Sequence, residues 1–254
     1  MDGVRHEESS PASPGRALAV ATGLGVGGYV FASLLVAVAV FVLVAVGVPI
    51  LDEPTLLLGI STVLGQGVAF GAFAFAYLSY TDRGLDYVKA RVPTLRDVGW
   101  TVGGTIALFG GLVTLSLLFM ALGIESASNT VEQFGEQDPT VFLLLIPLSF
   151  LFIGPGEELL YRGVVQGRLR EAFGPWVAII AASFLFAVIH VFSLTGGGKI
   201  VYLAILFVLS PVLGAAYEWT DNLVVPSLIH GAFNAVQFYV AYLGATGGVQ
   251  TGML

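Results

Sequence analysis

VFLLLIPLSFLFIGPGEELLYR, residues 141–162, is the stretch whose reading decides the fold. Its mostly apolar run from Val141 ends at Ile153. That is too short to cross a bilayer, which takes about 20 residues of helix. A full crossing must take in Gly154-Pro155-Gly156 and then Glu157 and Glu158. Carboxylates near hydrocarbon are costly, and where they occur they mark functional sites. A Gly-Pro-Gly break also frees backbone groups, which is tolerated at membrane depth only inside protein or beside a watery cavity. The stretch therefore predicts a span with two acids in its membrane-embedded, cytoplasmic end, facing a polar chamber open to the cytoplasm.

The rest of the chain agrees with a membrane setting. Its 254 residues are 56% hydrophobic and 11% charged, with a mean hydropathy of +0.90. A soluble domain carries about 25% charged residues. Six further apolar stretches join residues 140–160 as spans: 27–50, 55–79, 100–123, 176–194, 200–217 and 223–243. The expected fold is all-α, a polytopic transmembrane bundle of seven or eight helices. Residues 1–16 read as a disordered cytoplasmic tail, 17–244 as a single transmembrane domain, and 245–254 as a flexible C-terminal tail. The absence of cysteine excludes disulfides, thiolate ligands and a cysteine nucleophile. The lipid bilayer is one expected partner, and no nucleic acid is expected.

Loop charges set the orientation. Arg83, Lys89, Arg91 and Arg96 lie in 81–99, and Arg162, Arg168 and Arg170 follow the fourth span. Glu125, Glu132, Glu136 and Asp138 lie in 124–139, with no basic residue. Basic loops stay in the cytoplasm. This predicts a multi-pass protein of the cell membrane with its site facing the cytoplasm.

Three groups of residues carry chemistry. Glu158 and Arg162 stand at i and i+4, in the favourable order for an ion pair, while Glu157 points about 100° away. Phe186 and His190 share a helix face, and so do His230 and Asn234. Singly, a buried histidine, an intramembrane asparagine or an i, i+4 ion pair is more often structural. Their conjunction in a chain with three histidines points to function. Glu157 with His190 can hold and deprotonate a water. His230 and Asn234 can face a tetrahedral intermediate. Either histidine can equally bind metal. There is no H-E-x-x-H and no pair of intramembrane aspartates. The inventory is that of an amide hydrolase without a covalent nucleophile.

At these residues the chain resembles the CPBP family, the CAAX proteases and bacteriocin-processing (Abi) enzymes. The pattern E-E-x-x-x-R stands as Glu157-Glu158…Arg162, F-x-x-x-H as Phe186…His190, and H-x-x-x-N as His230…Asn234, all within 140–240. Tyr161 stands where the family usually has Phe. The resemblance implies an all-helical intramembrane endopeptidase acting on a membrane-tethered protein or peptide. In the type II CAAX prenyl endopeptidases the substrate is a prenylated C-terminus. It implies that Glu157 and His190 activate water, that His230 and Asn234 form the oxyanion hole, and that Glu158, Arg162 and Phe186 support the site. It leaves open a divalent metal such as Zn2+, for which Glu157, His190 and His230 are the available ligands. Two other functions use the same residues. One is a proton-coupled transporter; the other is a non-catalytic membrane scaffold or immunity protein.

Overall fold

The structure is a computed structural model and describes residues 13–247. Most of the expected terminal tails therefore lies outside the described residues. Within them the chain folds into eight helices. Helix α1 is Pro14–Ala45, α2 Pro54–Tyr80, α3 Leu95–Ala121, α4 Thr130–Gln137, α5 Thr140–Arg170, α6 Pro175–Ser193, α7 Lys199–Thr220 and α8 Val224–Ala245. All but the short α4 are long and apolar enough to cross a membrane. A two-residue antiparallel ladder links β1, Ser128–Asn129, to β2, Leu194–Thr195. The all-α expectation and its seven spans are borne out.

Helix boundaries follow local chemistry. Proline opens α1, α2 and α6, where its missing N–H costs nothing. Helix α1 thus begins at Pro14, inside the expected tail, and absorbs the Gly-rich lead-in. Capping boxes start α3 (Thr94 with Asp97) and α4 (Asn129 with Glu132). Residues in the left-handed region, Gly198 at φ +72° and Asp221 at φ +49°, bound α7 at its two ends.

Helix α5 runs on to Arg170, well past the span read as 140–160. Gly154-Pro155-Gly156 does not end it. Widened π-helical turns at Ser149–Ile153 and Leu159–Gln166 take up the disturbance on either side. Glu157 consequently lies near the middle of α5 and not in its terminal part, where the sequence alone places it. Arg162 and Arg168 are buried in the bundle, so neither counts as a loop charge.

Helix α5 is the inner helix. One apolar cluster joins it to α1, α2 and α6 through Leu24, Phe70, Leu160, Val164 and Phe186. A second joins α3, α7 and α8 through Leu108, Leu213 and Ile229. Helix α8 closes the second group onto the first by packing along α5. The outer faces expose large apolar side chains such as Phe41, 72% accessible, and Ile106, 66%. A water-soluble fold would not tolerate so many, whereas lipid requires them.

The two ends of the bundle differ in charge. At one end Arg83 forks onto Glu171, Arg91 onto Asp97, and Lys89 and Arg170 pair with Asp221 and Glu218. The opposite end carries β1, α4 and the acids Glu125, Glu132, Glu136 and Asp138.

Candidate active site

Three helices meet backbone to backbone around the acids, and glycine makes that possible. A Cβ at Gly154 would lie 2.6 Å from the Ser227 carbonyl oxygen of α8, and one at Gly231 would lie 2.8 Å from the Phe150 ring of α5. A Cβ at Gly156 would fall on the Gln66 carbonyl oxygen of α2. Membrane helices pack through such small residues. Here the approach sets Glu157 and Glu158 between α2 and α8.

The two carboxylates then part company. Glu158 and Arg162 are wholly inaccessible, at 0% each. Arg162 Nε donates to Glu158 Oε2 at 3.0 Å, and Arg162 Nη2 donates to Ser210 Oγ of α7 at 2.8 Å. Its remaining nitrogen, Nη1, has no partner among the described residues. The guanidinium lies over the Phe186 ring, 5.2 Å from its centroid, which offsets part of that loss. The second oxygen of Glu158, Oε1, meets His230 Nδ1 at 2.8 Å. Glu158 is thereby saturated: one oxygen serves the arginine and the other the histidine.

Glu157 is buried but less committed. Its Oε1 accepts a hydrogen bond from Gln66 Nε2 at 2.7 Å. Its Oε2 lies 3.8 Å from His230 Nε2. That is too long for a hydrogen bond and wide enough for one oxygen atom to touch both. Among the described residues, no other donor binds the Glu157 carboxylate.

His190 ends the α-helical part of α6, and its Nδ1 lies 2.7 Å from the Phe186 carbonyl. A carbonyl only accepts, so Nδ1 carries the proton and Nε2 is the free ring nitrogen. The Phe186 ring contacts His190, His230 and Tyr161 edge-on, at centroid distances of 4.7, 6.0 and 5.2 Å. Since α5 and α6 are antiparallel, the turn from Arg162 back to Glu158 runs beside the turn from Phe186 to His190. Both histidines therefore share the level of the acids. No direct hydrogen bond joins His190 to Glu157 among the described residues. Asn234, one turn beyond His230 on α8, is half-buried and has no side-chain partner among them.

Among the described residues no three His, Asp or Glu side chains are arranged to hold a metal ion. Glu158 and the Phe186 carbonyl each occupy one histidine nitrogen, and His230 Nε2 is the ring nitrogen that faces Glu157.

Sequence reasoning missed Gln66, Ser210 and Gly25. Gly25 of α1 accepts the Tyr161 hydroxyl at 3.1 Å through its carbonyl. Gln66 left one signal: an amide within an otherwise apolar span. Ser210 and Gly25 left none.

Residues 139–236 match the family described as Type II CAAX prenyl endopeptidase Rce1-like. The uncharacterized protein YpbD of Bacillus subtilis (strain 168) is 37% identical over 98 residues, which is 39% of this chain and 43% of that protein. The match thus spans less than half the length of that curated relative. No solved structure matches the chain. The resemblance to the CPBP family, read from three short motifs, is thereby borne out over the segment that contains them, residues 139–236.

Proposed function

We propose that this protein is an intramembrane endopeptidase that hydrolyses a peptide bond in a membrane-tethered protein or peptide. The name of the matched family suggests a prenylated CAAX-type C-terminus as the substrate. One observation carries the reading: Glu158 ties His230 Nδ1 and leaves Nε2 facing the Glu157 carboxylate across 3.8 Å.

The chemistry runs on the chain's own side chains. A water between Glu157 Oε2 and His230 Nε2 gives its proton to Glu157 as the oxygen attacks the scissile carbonyl carbon. His190, at the same level, helps to hold that water. Glu158 fixes the His230 tautomer, much as the acid of a catalytic triad orients its histidine. With Nδ1–H donated to Glu158, neutral His230 presents a lone pair at Nε2. It therefore suits the role of proton carrier to the leaving nitrogen better than that of oxyanion donor. The Asn234 amide remains as the neutral donor for the oxyanion. The water's proton ends on the leaving amine as the C–N bond breaks.

The test is cleavage of a quenched prenylated peptide by purified protein in detergent, beside Glu157→Gln, with and without a chelator. Glu157-dependent cleavage supports the protease. Chelator sensitivity would support a metal in the mechanism. Uptake of a solute into liposomes without cleavage would favour a proton-coupled carrier. Biological function retained by Glu157→Gln would favour a scaffold.

A further inference from the structure

The matched segment begins at residue 139, yet the closest partner of Glu157 lies in α2. Gln66 sits in a widened π-helical turn, Thr62–Ala69. Its backbone is docked on α5 at the residue just before Glu157, where a Cβ on Gly156 would strike the Gln66 carbonyl. The flanking Gly67 packs on Phe152 so closely that its own Cβ would collide with that ring. The amide is thus mounted on a backbone contact that leaves little room to shift. π-Helical turns of this kind recur at functional sites because they redirect a side chain without breaking the helix.

A carboxylate in an apolar bundle turns toward whatever donor it can reach. Torsion about the last bond of a glutamate is soft. Without Gln66, no donor among the described residues holds the Glu157 carboxylate, and its Oε2, 3.8 Å from His230 Nε2, is free to turn. A small rotation would change that separation and lose the spacing that one water bridges. With Gln66 Nε2 bound to Oε1 at 2.7 Å, one oxygen is held and the other stays at the distance a bridging water needs. A neutral amide does this without the permanent charge of Lys or Arg, which would clamp the carboxylate as an ion pair.

We propose that Gln66 is a positioning residue for Glu157: it holds Oε1 so that Oε2 and His230 Nε2 remain one water apart. This rests on the reading of Glu157 as the group that activates water, and it extends the working site beyond the family-matched segment to α2.

The experiment compares wild type, Gln66→Met, and Gln237→Met as a control on α8, each as the full chain in detergent. Methionine keeps the length of glutamine and removes the donor. The first readout is kinetic: kcat for Gln66→Met is expected to fall by about 100-fold with KM unchanged, the signature of misplaced chemistry rather than lost binding. The second needs no activity. In infrared difference spectra the Glu157 carboxylate band, identified by its loss in Glu157→Gln, is expected to shift in Gln66→Met and to stay put in Gln237→Met. A kcat within twofold of wild type, or an unshifted Glu157 band, overturns the proposal. If wild type cleaves nothing, the protease reading has failed, and the infrared shift alone decides whether Gln66 holds Glu157.

Discussion

His230 Nδ1 and Glu158 Oε1 lie 2.8 Å apart, across two helices and 72 residues of sequence. The bond divides two adjacent, chemically identical acids into different roles. Glu158 is consumed by Arg162 and His230, whereas Glu157 keeps an oxygen facing the site. The following outcomes are expected from that division and from the fold around it.

Glu157→Gln should reduce kcat/KM by about 1,000-fold or more, within the range for loss of a general base. The amide keeps the side chain's size, so the protein should express and purify normally. Turnover near wild type in a peptide-cleavage assay would remove Glu157 from the chemistry.

Glu158→Ala and Arg162→Ala should each lower stability by about 3–5 kcal/mol, because each leaves a buried charge without its partner. The measurement is detergent or thermal unfolding of the purified protein. Arg162→Lys should rescue little, since it loses the fork that reaches both Glu158 and Ser210. Wild-type melting in all three would mean that the pair contributes nothing.

Gly156→Ala should destabilise by roughly 1–3 kcal/mol, because its methyl group meets the Gln66 backbone rather than a movable side chain. Gly71→Ala, elsewhere on α2, meets nothing within 4 Å and should be neutral or slightly stabilising. Equal melting temperatures for the two variants would contradict the close approach of α2 to α5.

Glu171 lies between α5 and α6, outside the spans. Burial alone would raise its carboxyl, but hydrogen bonds from Arg83 and Tyr87 and the charges of Arg83 and Arg168 outweigh it and hold the group below the ordinary range. A carboxyl that titrates lower in the folded than in the unfolded chain adds stability above its ordinary value. That stability is lost as the pH falls through the lowered value. Wild type should therefore melt above Glu171→Gln at neutral pH, with the difference closing in acid. A difference that stays constant with pH would count against the cluster.

The chain has no cysteine, so single cysteines can report its orientation directly. Asp86 marks the basic end and Ser126 the acidic end, and both are exposed. The positive-inside rule predicts that a membrane-impermeant thiol reagent applied to intact cells labels Ser126→Cys and spares Asp86→Cys. The opposite pattern would invert the topology.

The sequence by itself determined what depends on neighbours along the chain. Seven spans are legible because each bilayer crossing demands its own run of apolar residues. The Glu158–Arg162 pair and the Phe186–His190 contact are legible because i and i+4 meet on any helix. What only the tertiary structure decided depends on how helices turn and approach one another. Gln66 reaches Glu157 over 91 residues, and Ser210 reaches Arg162 over 48. Helix α5 continues through a Gly-Pro-Gly that reads locally as a kink, because its glycines dock on α2 and α8 instead of breaking the helix. The choice of Glu158 rather than Glu157 as the partner of His230 Nδ1 has the same origin. Adjacent acids on one helix point in different directions, and only the placement of α8 determines which of them the histidine meets.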